Sequence, residues 1–171
     1  GNLRVWNAIP HALVPFRYYM LDVEGVDLRD VAWVAGGYAT AELSNRLVGA
    51  AEIFVQRAVR ALAEHIARRE SLRAIAFCAD VAHAEEVCRQ LKKQNLRAEV
   101  LTGKTESQTR RDARDELNSG KIQILCVVDI YNEGVDVPNV NTLFFFRPTE
   151  SATVFLQQLG RGLRRAPDKA E

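Results

Sequence analysis

At 171 residues, with 47% hydrophobic and 26% charged residues, the chain has the length and composition of one globular domain. Its formal net charge of +1 excludes a global field that attracts nucleic acid, so any such contact has to be local. Three widely spaced cysteines lack metal-ligand spacing, and the chain has no signal peptide, transmembrane run or repeat. These features favour a cytoplasmic protein with reduced thiols, no metal site, no membrane contact and no obvious homo-oligomer.

The first forty residues carry no recognisable motif. An apolar run at 16–21 predicts a strand, residues 26–34 predict a short helical turn, and Gly36-Gly37 predicts a turn.

Residues 40–69 predict helix in two pieces. The longer piece has one apolar stripe, formed by Val55, Val59, Leu62 and Ile66. The three histidines of the chain have no second ligand close in sequence, so we interpret them as structural: His11, His65 and His83.

From Arg73 onward, strands and helices alternate. Asp80 is suited to cap one helix, Thr105 and Gln108 form a capping box for the next, and Gly120 ends that helix. The predicted strands are 73–79, 97–101, 121–128 and 140–146, and the predicted helices are 81–94 and 105–118. Such alternation predicts a mainly parallel sheet with the strand-exit loops on one edge, and it identifies 140–146 as a buried strand.

A phosphate-binding loop of the Gly-x-x-x-x-Gly-Lys-Thr type is excluded at Gly103-Lys104-Thr105. The pattern requires glycine at position 98, which is Ala98 inside a predicted strand. Asp115-Glu116 falls in a charged helix rather than after an apolar strand, so it is not a magnesium carboxylate pair. The chain therefore lacks the parts that hold Mg²⁺ and the nucleotide phosphates.

Two patterned segments lie near the C-terminus. Residues 133–136, Glu-Gly-Val-Asp, follow a strand and lead to Pro138. After a plausible N-cap at Ser151, a helix places its polar residues on one face, with a glycine at the edge of that face: Gln157, Arg161, Arg164 and Gly160. Planar guanidinium groups suit a phosphate, although a solvated basic face is the competing interpretation.

Gln157-x-x-Gly160-Arg161-x-x-Arg164 resembles the sixth motif of superfamily 2 helicases, and residues 133–136 resemble the fifth. The resemblance implies a RecA-like three-layer α/β/α sandwich with a mainly parallel sheet, the second such domain of these enzymes, over residues 41–171. It also implies that residues 1–40 are an entry segment from a preceding first domain. The chain is most similar to bacterial multidomain helicases related to restriction-enzyme motor subunits and excision-repair helicases. The chain stops at Glu171 without a closing strand, so we expect truncation at the C-terminus.

In this family ATP binds between two RecA-like domains, with Mg²⁺ held by the first. The resemblance implies that Arg164 is the arginine finger, that Arg161 is a second phosphate contact and that Gln157 positions water or couples the domains. It implies that Gly134 and Asp136 approach the ribose, with a turn cap as the competing interpretation of Asp136, and that Gly160 allows close approach to the ATP.

The family also carries single-stranded nucleic acid across the strand-exit edge, mainly through phosphates. The residues at the matching positions are Asp80, Val81, Thr102, Gly103, Lys104 and Asp129. An ordinary surface lysine is the competing interpretation of Lys104. Val128 replaces the usual threonine of the fifth motif, and Glu133 replaces an arginine common in RNA helicases, which favours DNA over RNA.

The sequence therefore predicts the second motor domain of a DNA helicase or translocase, whose partners are single- or double-stranded DNA and an N-terminal RecA-like domain. The isolated chain is expected to be inactive. The alternatives are a non-catalytic nucleic-acid-binding or interaction module, and a flavodoxin-like small-molecule binder, which would not require the arginine face.

Overall fold

The computed structural model describes Tyr19 and residues 33–34, 37–38, 40–65, 68–128 and 139–147. The predicted strand at 16–21 lies outside these residues except for Tyr19, which is not in a strand and stacks on the His65 ring at a centroid distance of 4.0 Å. The interpretation of residues 1–40 as an incoming segment stays a prediction.

A short antiparallel pair precedes the main domain. Strands β1 (Trp33–Val34) and β2 (Gly37–Tyr38) pair with Val34 opposite Gly37. The predicted helical turn over 26–34 is therefore wrong at its end, and Gly37 lies in a strand rather than in the turn. Aromatic and β-branched residues at these positions favour extended backbone.

Helix α1 runs without interruption from Thr40–His65, so the prediction of two helical pieces is wrong. Gly49 lies within it and is exposed, and glycine there costs only about 1 kcal/mol relative to alanine, which the packing of the helix offsets. The predicted stripe is confirmed where it is described, because Val55 is fully buried and Val59 and Leu62 pack against the same core.

Four parallel strands form the central sheet in the order β4-β5-β3-β6. They are β3 (Ala74–Phe77), β4 (Ala98–Leu101), β5 (Ile124–Val127) and β6 (Thr142–Phe145). All residues of β3 and β5 are buried, as expected for central parallel strands. Strand β6 is half-buried rather than buried, because it is the last strand on its side among the described residues.

Helices cover both faces of the sheet, as the alternation along β3 requires. Ala74 and Ala76 face the core shared with α1 and with α2 (Val81–Lys93). Ile75 and Phe77 face the opposite core, shared with α3 (Ser107–Ser119). The predicted α/β/α sandwich with a parallel sheet is confirmed.

The three cysteines are free thiols buried in a single core cluster between the sheet and α2. Hydrogen bonding with Cys78 and with Cys88, together with burial, raises the pKa of the Cys126 thiol well above its usual value. The prediction that the cysteines lie in the core is confirmed.

Two of the three predicted helix signals are confirmed. Asp80 caps α2 by accepting a hydrogen bond from the His83 backbone N–H at 2.8 Å, and Gly120 ends α3 with a left-handed φ of 85°. The predicted capping box is wrong: α3 begins at Ser107, and Glu106 at the N-cap makes no side-chain capping bond. The Thr105 hydroxyl instead accepts a hydrogen bond from the Thr102 N–H, which closes the preceding loop.

Candidate nucleic-acid interface

The carboxyl ends of the four parallel strands lie at one level. Leu101, Val127, Phe77 and Phe145 are Cα partners in successive strand pairs across the sheet. Backbone bonds continue this alignment into the loops, because the Val128 N–H donates to the Leu101 carbonyl at 3.2 Å. The predicted gathering of strand-exit loops on one edge is confirmed for the described residues.

The strand order sets the spacing of these loops. Strand β5 lies between β4 and β3, so the exits at Thr102 and Asp80 are two strand spacings apart, about 10 Å. Val128, which follows β5, leaves the sheet between them. The segment predicted to carry the fifth motif therefore starts from the middle of this edge.

The loop after β4 is closed by two threonines. The Thr102 N–H donates to the Thr105 hydroxyl at 2.9 Å, and the Thr105 N–H donates to the Thr102 carbonyl at 2.9 Å. The Thr102 hydroxyl accepts a longer bond from the Lys104 N–H at 3.3 Å. Gly103 and Lys104 are left exposed at the tip, where a bound strand can reach both the backbone and an ammonium group.

Arg110 belongs to this loop, although the sequence analysis did not select it. Its Nε donates to the Thr105 carbonyl at 2.7 Å, and a terminal nitrogen donates to the Gly103 carbonyl at 3.3 Å. The side chain thus ties α3 to the loop and adds a second positive charge beside Lys104. Its sequence signal, an arginine in the first turn of a helix rich in charges, does not distinguish it from its neighbours.

Asp80 and Val81 stand at the start of α2 on the same edge. The Asp80 carboxylate already accepts the His83 N–H, and its negative charge repels a phosphate. Val81 is an exposed apolar side chain, with 42% of its surface accessible. Of the two described loops, the one from Thr102 to Lys104 is better suited to bind phosphate.

The remaining predicted functional residues lie outside the described part of the chain, and their roles stay predictions. They are Asp129, Gly134, Asp136, Gln157, Gly160, Arg161 and Arg164. Among the residues that the structure does describe, no three His, Cys, Asp or Glu side chains come together as a metal site. The described helices also include none that is long and apolar enough to cross a membrane.

The parallel sheet, the two helical layers and the aligned strand exits define a RecA-like α/β domain. Residues 57–166 match the family of the helicase conserved C-terminal domain, and the chain belongs to this family, within the superfamily 2 helicases.

The chain is also similar to individual proteins. A putative ATP-dependent helicase, IRC3, of Saccharomyces cerevisiae is 29% identical over 139 residues, which are 81% of this chain and 20% of that protein. The Pyrococcus furiosus Hef helicase domain superimposes with a TM-score of 0.53 at 26% identity, covering 71% of this chain and 27% of that one. The DEAD-box protein SrmB of E. coli has a TM-score of 0.58 at 23% identity, covering 71% of this chain and 67% of that one. The chain spans about a third or less of the curated relatives it matches.

His83 is fully buried beneath the Asp80 loop. Its Nδ1 accepts a hydrogen bond from the Ala79 N–H at 3.2 Å, so the ring is neutral with its proton on Nε2, which has no partner among the described residues. Burial lowers the pKa of His83 to about 4, although the Asp80 charge opposes the shift. Since the unfolded chain binds this proton near pH 6.5, the stabilising effect is complete above that pH and is lost as the pH falls toward 4.

We expect the free energy of unfolding to fall by about 2 kcal/mol between pH 7 and pH 5 because of His83. Urea titrations at the two pH values measure this difference. His83→Gln should remove most of it. An undiminished pH dependence in the His83→Gln variant would show that other groups cause it.

The exposed glycine of the β4 loop allows a direct test of phosphate binding by the backbone. A Cβ at Gly103 meets no atom within 4 Å, so Gly103→Ala should leave the melting temperature unchanged. If a phosphate contacts this backbone, the added methyl group should weaken binding of single-stranded DNA about tenfold, equivalent to one charge-assisted hydrogen bond.

Gly49→Ala is the matched control for this loop. Gly49 is also exposed with nothing within 4 Å of a Cβ, but it lies on α1. That substitution should add up to about 1 kcal/mol of stability and leave DNA binding unchanged. Equal DNA affinities for the two variants, measured by fluorescence anisotropy, would show that Gly103 does not contact the DNA.

Proposed function

We propose that this domain is the second motor domain of an ATP-dependent superfamily 2 DNA helicase or translocase. The observation that carries the proposal is the aligned strand-exit edge, from which the segment with the fifth-motif pattern continues beyond Val128. The family match over 57–166 spans both the fifth-motif and the sixth-motif sequences, which supports this role.

In this proposal the ATP site is shared with a preceding RecA-like domain. Arg164 stabilises the charge that develops on the γ-phosphate, Arg161 contacts a second phosphate, and Gln157 positions water or couples the domains. Gly134 and Asp136 approach the ribose, and Gly160 lets the nucleotide come close to the helix. In this proposal Mg²⁺ is held by the preceding RecA-like domain.

The nucleic acid in this proposal is DNA, bound through phosphates at the carboxyl edge of the sheet. Exposed Gly103 and Lys104, with Arg110 beside them, supply backbone donors and positive charge without base-reading groups, so little sequence preference is expected. Glu133 and the sequence around it favour membership in the group of bacterial helicases related to restriction-enzyme motors and excision-repair helicases. Because RNA helicases are also among the relatives, comparison of DNA and RNA as activators of ATP turnover tests this choice.

The competing function is a non-catalytic nucleic-acid-binding module with the same fold. Retention of both Arg161 and Arg164 favours catalysis, since a module that only binds has no need of two arginines at the sixth-motif spacing. The two functions differ in a single measurable property, which is ATP turnover by the full polypeptide that contains this chain.

Substitution of the proposed arginine finger should separate catalysis from folding. In the full polypeptide, Arg164→Ala should lower DNA-stimulated ATP turnover by about 10³–10⁵ while the melting temperature and ATP binding stay close to wild type. Arg164→Lys should lose nearly as much activity, because an ammonium group cannot reproduce the planar guanidinium.

Arg60→Ala is the matched control, since Arg60 is an exposed arginine on α1 with a single ion pair to Glu64 at 3.8 Å. It should keep normal turnover and change stability by about 0.5 kcal/mol or less. Near-normal turnover by Arg164→Ala, or a loss that merely follows unfolding, would rule out Arg164 as the finger.

A further inference from the structure

Basic side chains gather at the amino edge of the sheet, opposite to the predicted nucleic-acid interface. Residues that precede the strands lie side by side there, because Ala98 registers with Ile124, Ile124 with Ala74, and Ala74 with Thr142. We call the basic residues at this end the amino-edge cluster: Arg68, Arg69, Arg73, Arg97 and Lys121. All are exposed except Arg73, which is half-buried.

Three of the four arginines in this cluster bind backbone carbonyls rather than carboxylates. Arg97 donates from Nε to the Lys121 carbonyl at 2.9 Å and from a terminal nitrogen to the Gly120 carbonyl at 3.0 Å. Arg73 donates from one terminal nitrogen to the carbonyls of Glu70 and Leu72, at 2.7 and 2.8 Å. Arg69 donates in the same way to a carbonyl at the end of α2.

Two amide side chains hold the backbone of this edge in place. Gln123 is buried, and it accepts from the Arg97 N–H at 3.2 Å while it donates to the Arg69 carbonyl at 2.7 Å. Asn141 accepts from the Arg73 N–H at 3.1 Å and donates to the Ser71 carbonyl at 2.7 Å. The guanidinium groups are therefore presented from a fixed frame, which lowers the entropy lost when an anion binds.

The positive charge of this edge is largely uncompensated. Within the described ranges, no carboxylate lies at ion-pair distance from Arg68, Arg69, Arg73 or Arg97. Lys121 pairs with Glu116, and Glu70 is a second acidic residue on this edge. Because the whole chain has a net charge of only +1, five cations with two carboxylates here leave the rest of the chain net acidic.

Helix capping explains only part of the cluster. Arginine donors at the ends of α2 and α3 satisfy carbonyls that a helix leaves open, which accounts for Arg69 and Arg97. The side chains of Arg68 and Lys121 make no capping bond to a described helix. Arg68 extends the positive surface into solvent, and exposed Lys121 pairs with Glu116.

We propose that the amino-edge cluster binds the phosphate backbone of a nucleic-acid segment distinct from the strand at the carboxyl edge. Fixed guanidinium groups with remaining N–H donors match phosphate oxygens, and such contacts are independent of base sequence. An acidic protein segment has the same sign of charge, and its carboxylates also match a guanidinium fork. Membership of the helicase family favours nucleic acid as the occupant. The proposal does not depend on ATP hydrolysis by this protein.

The experiment neutralises the two residues that the fold does not use for capping. In the full polypeptide without nucleotide, binding of a 20-base-pair DNA duplex is measured as a function of salt for Arg68→Gln/Lys121→Gln. The slope of log K against log salt should become less steep by about 1.8, and affinity at about 0.1 M salt should fall tenfold or more, since two phosphate contacts are lost. An RNA duplex in parallel shows which nucleic acid is preferred.

Arg57→Gln/Arg60→Gln is the control, because it removes two exposed arginines from α1, one unpaired among the described residues and one paired with a glutamate, as in the test pair. Its duplex affinity and salt slope should match wild type. Equal losses of duplex affinity in both double variants would show that the effect comes from net charge alone, which would overturn the proposal. Unchanged duplex binding with lost binding of a polyglutamate peptide would also overturn it, in favour of an acidic protein partner. Either failure leaves the Arg164 test of the motor function unaffected.

Discussion

The parallel pairing of β3 with β5 and β6 is the constraint on which the described structure depends. Register between Phe77, Val127 and Phe145 brings the strand ends to one level, and full burial of β3 and β5 leaves no polar group on their faces. Polar side chains that follow or precede these strands can reach solvent only at the two ends of the sheet. The sheet architecture alone therefore restricts binding residues to the two ends of the strands.

The two edges are built by different means. At the carboxyl edge, short loops are closed by Thr102, Thr105 and Arg110, which leaves the tip at Gly103 and Lys104 open to a ligand. At the amino edge, arginines close the structure by binding carbonyls, and their charge remains because those partners are neutral. Both edges can attract anions, although the net charge of the chain gives no sign of it.

The sequence predicts the elements whose signals are local. Asp80 and Gly120 were assigned correctly, because an N-cap carboxylate and a left-handed glycine act within one turn of their own position. Thr105 was assigned wrongly because a threonine followed three residues later by glutamine fits a helix cap and a loop closure equally well. The continuity of α1 through Gly49 also escaped prediction, since packing along its length offsets the local cost of glycine.

The candidate interface residues differ in what predicts them. Position relative to a motif predicts Lys104 and Gly103, whose role in binding stays a prediction, whereas Arg110 contacts the loop from a helix, which no spacing rule encodes. The amino-edge cluster escaped prediction because its members come from residues 68 to 121 and are assembled only by strand pairing. Assignments at the fifth and sixth motifs rest on resemblance, since glycine, aspartate and arginine occur at such spacings for many reasons.

The central claim is that this domain supplies only one half of an ATP site. The most direct measurement is steady-state phosphate release, in the presence of DNA, by the 171-residue chain alone and by the full polypeptide with its preceding domain, each beside its own Arg164→Ala variant as background. We expect ATP turnover by the full polypeptide and none above background by the chain alone. Steady phosphate release by the chain alone, abolished in its Arg164→Ala variant, would contradict the division of the site between two domains.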